Sequence, residues 1–195
     1  FKMAANQNSA LDQYELGIIY YEGNYTVRDI SKAIHYLSLA AKQDFQDAQY
    51  KLGSIYYKGI YIKQDINKAI HYFESAAKQN HPESLFKLGY IYYERKYGKQ
   101  NIEKAMNFFT RASELNDLNA YFFLGQIYLE GKYRTIDISK AVQYFTLAAK
   151  NNHKGAQYNL GAIYFLGFSG EKNIQKALKY YMLSSDNGNI DASFV

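Results

Sequence analysis

Apolar residues in the stretch 46–81 fall on two helical faces in succession. Ala48, Leu52, Ile55 and Tyr56 lie at i, i+4, i+7 and i+8, one face of a 3.6-residue period. Ile66, Ala69, Ile70, Phe73, Ala76 and Ala77 trace a second such face, so the stretch predicts two helices joined by a turn. The same pattern returns every 36 residues. Gly17, Gly53, Gly89, Gly125 and Gly161 mark it, each preceded by Leu and followed three residues later by Tyr20, Tyr56, Tyr92, Tyr128 or Tyr164. Lys32-Ala33, Lys68-Ala69, Lys104-Ala105, Lys140-Ala141 and Lys176-Ala177 keep the same step. A fixed period of this length marks stacked units, each burying its apolar face only against its neighbours.

The register gives full units at 10–45, 46–81, 82–117, 118–153 and 154–189, with partial units at 1–9 and 190–195. Both ends cut through a helix, from which we expect a piece excised from a longer array. No linker separates the units, so a single domain over 1–195 is expected. Asp29, Asp65, Asn101, Asp137 and Asn173 precede the second helices and suit the N-cap, where a short side-chain oxygen accepts an orphan N–H. Asp44, Asn80, Asn116, Asn152 and Gly188 close those helices, as residues that tolerate the left-handed conformation. Gly23, Gly59, Gly131 and Gly167 mark the turn inside each unit; Arg95 breaks the series, with Gly98 three residues later. The glycine after Leu costs about 1 kcal/mol in mid-helix. We expect it to let the two helix backbones of a unit meet, against small residues such as Ala69 and Ala76. A lysine in the first turn of every second helix opposes the helix dipole. Its stem is expected to cover a nearby Tyr, or its ammonium to pair with the N-cap Asp.

Composition adds three constraints. The chain holds 22 Tyr and 12 Phe but no Trp and one Pro. An apolar body with a polar tip suits a thin stack of helices in which many side chains are half wet. Net charge is +5, with 23 Lys+Arg against 18 Asp+Glu interspersed along the chain, which reads as a solvated helical surface. The lack of cysteine excludes disulfides, thiol catalysis and thiolate metal sites, and is compatible with a reducing cytosol. No apolar run is long enough to span a membrane, and Phe1-Lys2-Met3-Ala4-Ala5 does not read as a signal peptide.

The pattern Leu52-Gly53-x-x-Tyr56-x-x-Gly59, followed by Asp65-x-x-Lys68-Ala69-x-x-Tyr72-Phe73-x-x-Ala76-Ala77, resembles the Sel-1-like repeat, a relative of the 34-residue tetratricopeptide repeat. The turn departs from the family in having Tyr25, Tyr61, Tyr97 and Tyr133 where a second glycine is usual. The resemblance implies an all-α, right-handed solenoid of antiparallel helix pairs with the first helices on the concave side. It also implies a scaffold or adaptor that binds proteins, with no catalytic activity of its own.

Nothing in the sequence carries catalytic chemistry, and no metal or cofactor is expected. There is no Gly-rich phosphate loop, nucleophile elbow or HExxH run. His35 and His71, and likewise His81 and His153, occupy equivalent repeat positions, too far apart for shared ligation.

By analogy with tetratricopeptide grooves, the residues two before the repeated glycine, and one, four and five after it, should face the concavity. They are Lys51, Ser54, Tyr57 and Lys58; Lys87, Tyr90, Tyr93 and Glu94; and Phe123, Gln126, Leu129 and Glu130. These vary between units while the packing positions do not. At the position four after the glycine in all five units, Tyr21, Tyr57, Tyr93, Leu129 and Phe165 form a stripe, read either as an anchor for a protein or peptide ligand or as core between repeats. Aromatics at Tyr50, Phe86 and Phe122 replace the lysine of the tetratricopeptide carboxylate clamp, so no such clamp is expected. Two alternatives stand beside a protein-binding scaffold: an RNA-binding helical repeat, and a structural spacer. RNA is disfavoured because Lys58 is matched by Glu22, Glu94 and Glu130. End-to-end association of the cut faces with another copy stays open.

Overall fold

The computed structural model describes residues 9–94, 97–98, 100–133 and 135–186. Gly188, Arg95, residues 1–8 of the partial unit 1–9 and the partial unit 190–195 lie outside the described residues. The order is α1 (Ala10–Glu22), α2 (Ile30–Ala41), α3 (Gln46–Lys58), α4 (Ile66–Lys78), α5 (Pro82–Tyr93), α6 (Ile102–Glu114), α7 (Leu118–Glu130), α8 (Ile138–Ala149), α9 (Lys154–Leu166) and α10 (Ile174–Asp186). Two helices stand in each 36-residue unit, and no strand occurs among the described residues. The chain divides into two compact units, Phe1–Leu88 and Gly89–Val195.

Each second helix starts as its sequence dictates. Asp29, Asp65, Asn101, Asp137 and Asn173 accept the N–H three residues on at 2.9–3.0 Å. Their own N–H donates at 2.9–3.0 Å to the carbonyl of Tyr20, Tyr56, Tyr92, Tyr128 or Tyr164, which folds the turn back onto the first helix. The helices close at Asp44, Asn80, Asn116 and Asn152 with φ of 57–62°. Gly23, Gly59, Gly131 and Gly167 take φ of 61–74° at the ends of α1, α3, α7 and α9.

In the first compact unit, Leu37 and Ala40 of α2 pack with Ala48, Leu52 and Ile55 of α3. In the second, Phe145 and Ala148 of α8 pack with Ala156, Leu160 and Ile163 of α9. Both clusters join the second helix of one repeat to the first helix of the next. Full burial of Phe73, Phe109 or Phe145 contributes about 1.5–3 kcal/mol each.

The repeated glycine answers to a ring rather than to a backbone. A Cβ at Gly53, Gly89 or Gly125 would stand 2.6 Å from the rings of Phe73, Phe109 and Phe145, twenty residues later. At Gly161 it would meet Tyr181 at 2.7 Å, and at Gly17 the Leu37 side chain at 2.7 Å. The expected backbone-to-backbone approach is therefore corrected: the missing side chain leaves a seat for a large one.

The repeated lysine does both things expected of it. Lys32, Lys68, Lys104, Lys140 and Lys176 place Nζ 5.0–5.3 Å from the ring centroids of Tyr20, Tyr56, Tyr92, Tyr128 and Tyr164. Each tyrosine stacks in turn on Tyr36, Tyr72, Phe108, Tyr144 or Tyr180, with centroids 5.7–5.9 Å apart and planes within 8° of parallel. Lys32, Lys68 and Lys140 also reach their N-cap carboxylates at 2.9, 3.9 and 3.5 Å. The hydrogen bond from Lys32 holds the Asp29 carboxyl below its usual range. A cation against the dipole is thus supported by a π face in all five units and by an anion as well at Lys32, Lys68 and Lys140.

Candidate functional site

Phe45, His81 and His153 stand at the starts of α3, α5 and α9, and each ring lies on one 31 residues earlier. The centroid separations are 5.2 Å for Tyr14–Phe45, 4.8 Å for Tyr50–His81 and 4.6 Å for Phe122–His153. Tyr50 and Phe122, which replace a clamp lysine, are thereby occupied in packing between repeats. His153 Nδ1 accepts from Ala156 N at 3.1 Å, and burial pulls the imidazole below its ordinary pKa. His81 Nδ1 accepts from Ser84 N at 3.3 Å. His35 and His71 meet Tyr36 and Tyr72 edge-on. The described residues contain no group of three His, Cys, Asp or Glu arranged to hold a metal ion.

The first-helix positions of the first compact unit carry cations on tyrosines. Lys51, half-buried, places Nζ 4.4 Å from the centroid of Tyr21. Tyr21 meets Tyr61 edge-on at 5.8 Å, and the Arg28 guanidinium covers Tyr61 at 4.7 Å. Arg28 also donates to the carbonyls of Tyr21 and Glu22, both at 3.0 Å, closing the end of α1. Lys87 stands 5.6 Å above Tyr57, which rests edge-on against the buried Phe73 at 6.4 Å. Ser54 is half-buried beside this row, and Lys58 is exposed in the last turn of α3. Loss of water depresses the Lys51 pKa; Glu22 opposes that shift and Lys58 adds to it.

In the second compact unit the same positions build an aromatic cluster. Phe123, at the place of Lys51 and Lys87, stacks on Phe109 at 5.2 Å and meets Tyr90 and Tyr93 edge-on at 5.6 and 5.3 Å. Tyr93 is only 8% exposed. Its hydroxyl accepts from Lys132 Nζ at 2.6 Å, and the same ammonium pairs with Glu130 at 2.6 Å. Desolvation works against the Lys132 charge, but Glu130 and Tyr93 outweigh it and raise the pKa. Glu94, Gln126 and Leu129 are half-buried and Glu130 is exposed.

The stripe is therefore not uniform. Tyr93 is core between repeats, Tyr21, Tyr57 and Leu129 are half-buried, and Phe165 is 41% exposed. Arg28 and Lys132 were missed by sequence reasoning because they lie in turns. A faint signal existed for Arg28, since Gln64 and Gln100 occupy its place and donate to the carbonyls of Tyr57 and Tyr93 at 2.6 and 2.7 Å.

The Sel1 repeat family matches residues 10–45, 46–81, 82–117, 118–153 and 155–189. The chain belongs to the Sel1 repeat family. It is similar to a Sel1 repeat protein from Oxalobacter formigenes, at 32% identity and a TM-score of 0.83, over 95% of this chain and 76% of that one. The cysteine-rich protein B of Helicobacter pylori is 30% identical with a TM-score of 0.53, over 69% of this chain and 97% of that one. An immunity protein of Pseudomonas aeruginosa, Pa5087, shares the fold at 23% identity and a TM-score of 0.56, over 95% of this chain and 68% of that one. No curated protein matches the chain. As a Sel1 repeat protein it is an all-α solenoid of 36-residue repeats. Sel1 repeat proteins are in general protein-interaction scaffolds and typically non-catalytic. No described helix of this one is long and apolar enough to cross a membrane.

Proposed function

We propose that this chain works as one non-enzymatic solenoid domain that holds a partner protein or peptide on the face formed by its first helices. The observation that carries the reading is a division of labour within each repeat. Positions that recur (Leu52, Gly53, Tyr56, Lys68, Ala69) are spent on packing, caps and ring stacks. Those that vary present half-buried and exposed groups on the first helices: Lys51, Ser54, Tyr57, Lys58 and Lys87, then Tyr90, Glu94, Phe123, Gln126, Leu129 and Glu130. Half-buried aromatics beside charged groups are the composition of anchor sites at interfaces.

Affinity capture with the immobilised chain and its Tyr57→Ala variant tests this. Tyr57 is half-buried, so the variant keeps its helical circular dichroism while capture of partners falls. A spacer predicts identical capture by both proteins. An RNA-binding repeat predicts tight binding of single-stranded RNA that weakens steeply with added salt.

A further inference from the structure

In the first compact unit the turns inside the repeats and the turns between them lie at opposite ends of the same helices, and the two edges differ in chemistry. The turns after α1 and α3 are tied together, with the Arg28 guanidinium over the Tyr61 ring at 4.7 Å. Of the large apolar side chains that this unit exposes among its described residues, all but Leu11 stand in these two turns. Tyr25 is 88% and Val27 87% exposed, with Ile60 at 65% and Tyr61 at 46%. In these turns and the helix ends beside them, Arg28, Lys32, Lys58, Lys63 and Lys68 are set against Glu22, Asp29 and Asp65, a net charge of +2. Two of those carboxylates are already paired, Asp29 with Lys32 and Asp65 with Lys68. The other edge holds Lys42 and Lys78 against Asp12, Asp44, Asp47 and Glu83, a net charge of −2 among the described residues with histidine neutral.

We propose that this turn edge docks on an anionic lipid bilayer. The Tyr25, Val27 and Ile60 side chains enter the interface while Arg28 and Lys63 meet the headgroups. A side chain exposed to nearly nine-tenths has no wall of its own, so whatever buries it must close round it. Interfacial lipid does so without a shaped pocket, and tyrosine with its polar tip suits the headgroup level. Apolar insertion and a basic edge are two signals, and lasting membrane attachment needs two because each alone is marginal. The charge difference between the edges sets the orientation, since a negative leaflet attracts one end of the helices and repels the other. The second compact unit, taken by itself, exposes Ile136 at 63% and Phe168 at 56% in its own turns. Tyr57 takes no part at this edge, so partner capture on the first helices and membrane docking fail independently.

Co-sedimentation with vesicles of phosphatidylcholine containing phosphatidylserine, against phosphatidylcholine alone, tests the assignment. The chain binds the anionic vesicles at least roughly tenfold more tightly. The double variant Tyr25→Ser, Val27→Ser weakens binding about tenfold and Lys63→Gln about fivefold. Both keep the thermal melt of the parent chain, because the replaced side chains are exposed. The chain has no tryptophan, so a Tyr25→Trp variant carries a single reporter, whose emission shifts to the blue on the anionic vesicles. Equal binding to both vesicles, no binding to either, or an unshifted emission overturns the proposal. So does binding that Lys63→Gln weakens and Tyr25→Ser, Val27→Ser leaves intact, which is adsorption by charge alone. A protein ligand that the double variant loses, with no binding of vesicles, assigns the edge to a protein and overturns the proposal likewise.

Discussion

Replacing Gly125 by Ala sets two effects of known sign against each other. Alanine gains about 1 kcal/mol over glycine inside a helix. Its methyl, however, would stand 2.6 Å from Phe145 Cε1, 2.7 Å from Cδ1 and 3.0 Å from Cζ. Carbon atoms attract best at about 3.5–4.0 Å, so the ring must retreat by roughly 1 Å. Phe145 is fully buried among Ala141, Ala148, Leu160 and Ile163 and has little room to do so. Overpacking of this kind costs about 1–3 kcal/mol, so Gly125→Ala is expected to destabilise by up to about 2 kcal/mol net. Phe145→Ala costs about 3–5 kcal/mol by itself. In that background the added methyl enters vacated space, and Gly125→Ala should stabilise by about 1 kcal/mol. The double-mutant cycle, read from urea unfolding by circular dichroism, should give a coupling of about 1–3 kcal/mol, the overpacking cost itself, with inversion of sign wherever that cost exceeds the propensity gain. Independent sites add within about 0.3–0.5 kcal/mol. An equal effect of Gly125→Ala in both backgrounds would show that the ring seat is not why glycine recurs.

Asp137→Ala should cost about 1 kcal/mol through the lost bond from Lys140 N at 2.9 Å, whereas Asp137→Asn, which keeps a cap oxygen but loses the ion pair at 3.5 Å, should be nearly neutral in the same melts. Tyr93→Ala removes the contacts to Phe109 and Phe123 and should lower the midpoint strongly, by roughly 3 kcal/mol, unlike Tyr57→Ala. Burial depresses the His153 pKa, so below its ordinary value near 6.5 the folded chain binds fewer protons than the unfolded one. The stability it contributes is full above that value and falls as pH drops through it. Urea midpoints measured between about pH 7.5 and about pH 5 should show a flatter decline in His153→Asn, which keeps an N-cap oxygen; an unchanged slope would remove His153 as the source.

The repeat, its helix pairs and its caps were legible because they are local. An N-cap is a residue type at a fixed offset, and Asp65, Asn101 and Asp137 lie where the pattern puts them. The reason for the glycine was not legible. Backbone approach and a seated ring both call for a missing side chain, and only the position of the residue twenty places later separates them. Leu37, Phe73, Phe109, Phe145 and Tyr181 differ enough in type to look like ordinary core positions.

The candidate site was legible only as a set of positions, because its chemistry depends on contacts between repeats. Lys51, Lys87 and Phe123 occupy one register position, yet the lysines carry charge onto Tyr21 and Tyr57 while Phe123 closes over Tyr93. The same tyrosine position is thus half-buried under a lysine and buried under a phenylalanine. Two differences accompany the change from half-buried to buried ring: Phe in place of Lys at this position, and Lys132 bonded to the Tyr93 hydroxyl. Tyr57 has its seat on Phe73 and Tyr93 on Phe109, so the two layers differ in what covers the ring rather than in what lies beneath it. Phe123 also stacks on Phe109, so a change at this position alters the packing between layers together with the surface it presents.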